Sequence, residues 1–255
     1  MQKERFLELL HSFEHDDSIR RGIGTYQESF LHCLLKYTFE ANEGFHEVKI
    51  DSYVADIFDG KQIIEIQTGN FNQLRGKLTA FLPKYPVLLV YPIAHIKWIR
   101  WEDPETGELC ERRKSPKVGS LYDCFKELYK IKWFLSHPQL SFCLVLIDLE
   151  ETRLLNGWSK DHKKGSHRKS RMPIELYEAT YFNSKADYER LIPSSLAPSF
   201  TVKDFSKAAK LTLRRSGEAI SVLKELKLIV QSGKIGRAYT YSKGEENNGH
   251  SSGLH

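Results

Sequence analysis

The chain is poor in the features that would mark a secreted, metal-knotted or membrane-spanning protein. It has four cysteines in 255 residues, Cys33, Cys110, Cys124 and Cys143, and no two share a paired spacing. That pattern excludes a zinc ribbon and a disulfide framework, and it suits a reducing compartment. No apolar run reaches the length needed to cross a bilayer, and no apolar N-terminal stretch with basic flanks reads as a leader. A soluble, cytoplasmic protein with no membrane partner is the expectation. There is no internal repeat, so a solenoid is excluded.

Acidic residues are scarce in one place only. Residues 1–150 hold 19 Lys and Arg against 22 Asp and Glu, a balance of −3, whereas residues 151–255 hold 19 against 11, a balance of +8. The net charge of +5 therefore belongs to the C-terminal part, as expected of a segment that meets a polyanion.

Periodicity gives the order of elements. Residues 1–20 read as a helix, and a second helix is expected from Thr25 to Glu40 with Tyr26, Phe30, Leu31, Leu34 and Leu35 on one stripe and Glu28 at its edge. A three-strand meander follows over Glu47–Ile50, Tyr53–Phe58 and Lys61–Gln67. A helix over Phe71–Leu82 stops at Pro83 and Pro86, and Val87–Tyr91 reads as a strand buried on both faces. His95–Trp101 and Leu109–Lys114 form an expected hairpin within an insertion at about 94–118. A helix near Leu121–Leu135, a strand at Phe142–Leu149, a basic loop at Ser159–Arg171 and a strand at Glu175–Phe182 complete the first unit. Pro193 and Pro198 flank an expected linker, and the polar residues 244–255 read as a disordered tail.

The segment YVADIFDGKQIIEIQ, Tyr53–Gln67, carries the chemistry. Asp59-Gly60 signals a tight hairpin, which would pair Phe58 with Lys61 and Asp56 with Ile63. Alternation then projects Asp56, Glu65 and Gln67 from one face and Ala55, Ile57, Ile64 and Ile66 from the other. Glu65 would lie diagonally from Asp56, with the two backbones about 7–8 Å apart. Both carboxylates could reach one divalent cation.

Asp56, eight intervening residues and then Glu65-Ile66-Gln67, inside a helix, three strands, helix, strand order, resembles the PD-(D/E)xK nuclease superfamily. The resemblance covers roughly residues 24–92. It implies an α/β fold with a restriction-endonuclease-like αβββαβ core and a mixed central sheet over residues 1–192. It also implies a Mg²⁺-dependent DNA endonuclease, with Mn²⁺ able to substitute. Asp56, Glu65 and the Ile66 carbonyl would bind the metal, and Glu28 would support it. Gln67 stands where the family has lysine. Glutamine can hydrogen-bond a water but supplies neither positive charge nor a base. Lys77 on the next helix is an alternative source of that charge.

The remaining signals concern nucleic acid. Lys160, Lys163, Lys164, Arg168, Lys169 and Arg171 crowd the basic loop with His162 and His167, and such side chains are the usual phosphate contacts. Residues 198–243 resemble a small winged helix-turn-helix domain with GKIGRAYTY as the wing. That resemblance implies a recognition helix at Leu213–Leu228, with Arg214, Arg215 and Ser216 near the groove or backbone and Lys234 and Arg237 on phosphates. Double-stranded DNA is the expected partner, and two-fold symmetric cutting would need a homodimer. The alternatives are a DNA-binding or regulatory protein whose nuclease fold has lost catalysis, and a nuclease for RNA or branched DNA. A restriction or defence role is an expectation from fold-level analogy.

Overall fold

The computed structural model describes residues 2–15, 30–154 and 167–244. Its first strands are β1 (His46–Ile50), β2 (Tyr53–Phe58), β3 (Ile63–Ile66), β4 (Val87–Glu102), β5 (Arg113–Lys114), β6 (Leu140–Leu154) and β7 (His167–Phe182). They form one mixed seven-stranded sheet in the order β1-β2-β3-β4-β6-β7, with β5 paired to β4. The meander β1–β2–β3 is antiparallel, β3, β4 and β6 run parallel, and β7 returns antiparallel to β6. The helices of this part are α1 (Gln2–His15), α2 (Phe30–Phe39), α3 (Leu74–Phe81) and the short α4 (Phe125–Leu128), which runs on into a helical turn at Tyr129–Phe134.

Both faces of the sheet are covered, which explains why its central strands are continuous apolar runs. Leu88 and Val90 of β4 and Cys143, Val145 and Ile147 of β6 pack with Phe6, Leu10, Phe13, Leu31, Leu34 and Leu35 of α1 and α2. Their neighbours Val87, Leu89, Phe142, Leu144 and Leu146 pack on the other side with Leu74, Leu78 and Phe81 of α3 and with Phe125 and Leu128 of α4. The Val87–Tyr91 and Phe142–Leu149 strands are thus where their composition placed them.

Three boundaries differ from the sequence reading. The β2–β3 loop is four residues, because Phe58 pairs with Ile63 and Ile57 with Ile64. The Asp59 carboxylate accepts the N–H groups of Lys61 and Gln62 at 2.8 Å, closing a wider turn than the two-residue one expected. Continued by one pair, this register sets Asp56 opposite Glu65 rather than diagonal to it. Strand β4 does not stop at Tyr91 but continues to Glu102, paired with β6 as far as Leu154 across an irregularity between Ala94 and Lys97. The hairpin around Asp103–Gly107 is therefore an extension of the sheet, with β5 on its edge. Likewise β7 begins at His167, so Arg168, Lys169 and Arg171 lie on a strand and not in a loop; Lys160, His162, Lys163 and Lys164 lie outside the described residues. The strand tolerates these cations because Glu151 is opposite Arg171, with its carboxylate 3.7 Å from the guanidinium.

The C-terminal unit comprises β8 (Ser199–Thr201), α5 (Val202–Ala208), α6 (Leu213–Glu225), β9 (Ile229–Ile235) and β10 (Ala238–Lys243), with the three strands in the order β8-β10-β9. Thr201 and Asp204 form a reciprocal cap on α5, and Thr212 caps α6 by accepting from the Arg215 N–H. The linker expected near 193–198 does not separate two cores. Phe205, Ala219, Val222 and Leu223 join the same apolar cluster as Phe125 and Leu128, and the Phe125 and Phe205 rings meet edge to face at 6.0 Å. No helix among the described residues is long and apolar enough to cross a membrane.

Candidate functional site

The two acidic residues meet where β2 and β3 part. Backbone pairing between these strands covers Ile57–Ile64 and Phe58–Ile63; beyond it, carboxylates bridge the gap. The Ile66 N–H donates to Asp56 Oδ2 at 2.7 Å, and the Asp56 N–H donates to Glu65 Oε1 at 3.3 Å. Glu65 is 1% exposed and Asp56 9%. The site is therefore buried between the helical layers, although the alternation of Asp56 and Glu65 against Ala55, Ile57, Ile64 and Ile66 assigned an apolar core to the opposite face alone. The reason is that β3 has core on both sides: Ile63 packs towards α3, and Ile64 and Ile66 pack towards α1 and α2.

Each carboxylate has a partner from a different layer. Lys77 on α3 donates to Glu65 Oε2 at 2.7 Å, and His32 Nε2 on α2 lies 3.2 Å from Asp56 Oδ2. Burial pushes the Glu65 carboxyl up, the neighbouring Asp56 pushes it further, and Lys77 pulls it back, leaving it at about 8. Burial also works to raise Asp56, but His32, Lys77 and the Ile66 N–H together hold it below its usual value. One carboxylate is thus poised to ionise and the other is biased towards a proton, as happens when two carboxylates share a site.

The Gln67 side-chain amide donates to the Gly69 carbonyl within its own loop. The cation beside the acids is the Lys77 ammonium. Its helix is anchored by Glu127, a buried carboxylate on α4 that accepts the Phe71 N–H at 2.9 Å and the Lys130 ammonium at 2.7 Å. Burial opposes ionisation of Glu127, but Lys130 and the Phe71 N–H outweigh it and its pKa is lowered. Sequence reasoning missed both His32 and Glu127. His32 had a signal, since it stands four residues, about one helical turn, after Glu28. Glu127 had none, because its partner Phe71 is 56 residues away. Glu28 lies outside the described residues.

Hard divalent cations take oxygen ligands, and the oxygens on offer are the carboxylates of Asp56 and Glu65. Among the described residues no group of three or more His, Cys, Asp or Glu is assembled as a metal cluster. The donor set suits a cation in charge: two buried carboxylates adjoin, and burial first and Asp56 second push the Glu65 carboxyl up.

The expected nucleic-acid residues are placed unevenly. Arg214 is exposed on the first turn of α6 and lies 3.5 Å from Glu218, while Arg215 is half-buried and 3.8 Å from the same carboxylate. Lys234 and Arg237 are exposed on the β9–β10 hairpin, Lys234 with its ammonium 4.6 Å above the Tyr239 ring. Ser216 is fully buried and its hydroxyl donates to the Thr212 carbonyl, so it packs α6 inward rather than facing outward. Lys169 pairs with Glu102, and Arg168 is exposed.

A family model described as a domain of unknown function, DUF8091, matches residues 29–183. The chain belongs to the DUF8091 family. The matched stretch contains Asp56, Glu65, Gln67, Lys77 and the whole central sheet, and it ends before the C-terminal unit of α5 and α6. An uncharacterized protein of Treponema pallidum (strain Nichols) is 29% identical over 207 residues, covering 77% of this chain and 82% of the relative. No solved structure matches.

Proposed function

We propose that this DUF8091 protein is a metal-dependent DNA endonuclease with a restriction-endonuclease-like core, and that its C-terminal unit is a winged helix that binds nucleic acid. The observation that carries the reading is the junction of Asp56, Glu65 and Lys77 where β2 and β3 part. The order α2, β1–β2–β3, α3, β4 supports it, because a helix, a three-strand meander and a helix-linked parallel strand are the frame in which this superfamily holds its acids. The order α5, α6 and a β9–β10 hairpin closed by β8 supports the winged helix.

Asp56 and Glu65, with the Ile66 carbonyl, would hold Mg²⁺ or Mn²⁺. When bound, such an ion lowers the pKa of a coordinated water and neutralises charge on the phosphate. Hydrolysis then requires that a water oxygen lose a proton and bond to phosphorus while the bond to the leaving oxygen breaks and that oxygen gains a proton. Lys77 supplies the positive charge that Gln67 cannot, and in its ground state it is held against Glu65. Glu127 and Lys130 fix the start of the helical segment that presents Lys77.

The competing reading is a DNA-binding or regulatory protein with a degenerate catalytic centre. It draws on Gln67, whose amide is spent on Gly69. Incubating supercoiled plasmid with the protein and Mg²⁺ or Mn²⁺, beside Asp56→Ala and Glu65→Ala, separates the two. Nicking or linearisation lost in both variants supports the nuclease; equal cutting by all three proteins refutes the site. Binding of duplex by the wild type without cleavage of any DNA form favours the competing reading.

A further inference from the structure

Among the described residues, the most exposed aromatic side chain of the central domain is unrelated to the acidic site. Trp133, 63% exposed, sits on the helical turn after α4, with Tyr129, 40% exposed, one turn earlier. Cations surround them. The Lys132 ammonium is 5.1 Å from the Tyr129 ring centre and 5.3 Å from that of Trp133, and the Arg75 guanidinium is 5.4 Å from Trp133. Lys132 also donates to Ser221 Oγ on α6 at 2.9 Å, so the aromatic platform and α6 meet at one ammonium. From there a groove of about 580 Å³ runs along α6, lined by Lys132, Lys224 and Lys227 against a single carboxylate, Glu225.

We infer that this groove binds a single strand of nucleic acid, with a base stacked on Trp133 and phosphates on Lys132, Lys224 and Lys227. Flat rings beside cations are what a flexible strand uses, since every base offers a π face and every linkage a phosphate. An acidic peptide would satisfy the lysines but has no use for the rings. Duplex fits this groove poorly, because a B-DNA major groove has width for one helix or a two-stranded ribbon, and the α6 face bearing Gly217, Ser221 and Lys224 is walled by the Tyr129–Phe134 turn. The inference does not depend on hydrolysis at Asp56 and Glu65.

The test measures binding of the full chain in EDTA, so that cleavage plays no part, by fluorescence anisotropy with labelled oligothymidylate and with a hairpin duplex. Changes in the groove should weaken binding of the strand and leave binding of the duplex largely unchanged. Trp133→Ala should weaken strand binding on the order of tenfold, and Trp133→Phe should restore most of it. Lys224→Ala with Lys227→Ala should flatten the salt dependence by a slope of about 1.4, two phosphates at roughly 0.7 each. Strand affinity unchanged in Trp133→Ala, or duplex affinity falling as far as the strand's, overturns the inference. So does polyglutamate displacing the strand as effectively as unlabelled oligothymidylate, which would make the groove a site for acidic peptide.

Discussion

Replacing Lys77 by methionine removes the cation facing Glu65 while keeping most of the side chain's length. Glu65 is almost fully buried, and the Lys77 ammonium 2.7 Å away is what offsets the pressure of burial and of Asp56 on its carboxyl. An opposite charge this close is worth about one to three units of pKa, and the lower end applies because the Lys77 side chain is 24% exposed. The carboxyl, already raised to about 8 from 4.5, should therefore rise by about one further unit in the variant. A carboxyl whose folded pKa is raised holds its full stability below its unfolded pKa and loses it as pH rises towards the folded value. The wild type stops losing stability near its folded pKa of about 8, whereas the variant goes on losing it for about one unit more. The extra destabilisation should be close to nil near pH 6 and about 1 kcal/mol near pH 9, beneath a ceiling of about 1.4 kcal/mol per unit. Urea unfolding of both proteins in EDTA at the two pH values measures this difference. A destabilisation of the same size at about pH 6 and pH 9, or one larger at the lower pH, would refute the electrostatic account of the pair.

Other substitutions test the scaffold. A Cβ on Gly119 would stand 1.9 Å from the Ala94 carbonyl oxygen, beside the irregularity in β4, so Gly119→Ala should cost at least about 1–3 kcal/mol in thermal unfolding. Thr212→Ala removes the cap of α6 and should cost about 1 kcal/mol by urea unfolding. Ser216→Ala should leave the salt slope of DNA binding unchanged because the residue is buried, whereas Arg214→Ala with Arg215→Ala should flatten that slope. An equal effect from Ser216→Ala would place α6 differently.

The candidate site was legible because strand periodicity survives a register error of two. The turn at Asp59-Gly60 is wider than its dipeptide suggested, since the Asp59 carboxylate bonds two successive N–H groups. A slip of two residues keeps every side chain on its face, so Asp56 and Glu65 still met, opposite one another instead of diagonally. Burial of the pair was not legible. It depends on α2 and α3 closing over both sides of β3, and neither His32 nor Lys77 announces its partner by local spacing.

His95–Trp101 was expected as a strand, but its continuity with Val87–Tyr91 in β4 was not, and the outer ends of β6 and β7 were missed. Residues such as Glu151, Arg153, Arg168 and Arg171 do not alternate between apolar and polar. They are tolerated in strands because Glu150 faces Arg100 and Arg112, and Glu151 faces Arg153 and Arg171. Such charge pairing between strands leaves no periodic trace in any one of them. The C-terminal unit shows the converse. Its two helices and hairpin were readable from their apolar stripes and turn glycines, but strand β8 and the docking through Phe205 onto Phe125 were not, the two rings being 80 positions apart.

The central claim is that Asp56 and Glu65 form one divalent-cation site, and calorimetric titration of Mn²⁺ into the DNA-free protein tests it most directly. With the Glu65 carboxyl at about 8, the ion should displace its proton near pH 7. Titrations in buffers of different ionisation enthalpy should therefore report release approaching one proton per ion bound, falling towards zero well above pH 8. Binding should be lost in Asp56→Ala and Glu65→Ala. An isotherm and a proton count unchanged in both variants would contradict the account.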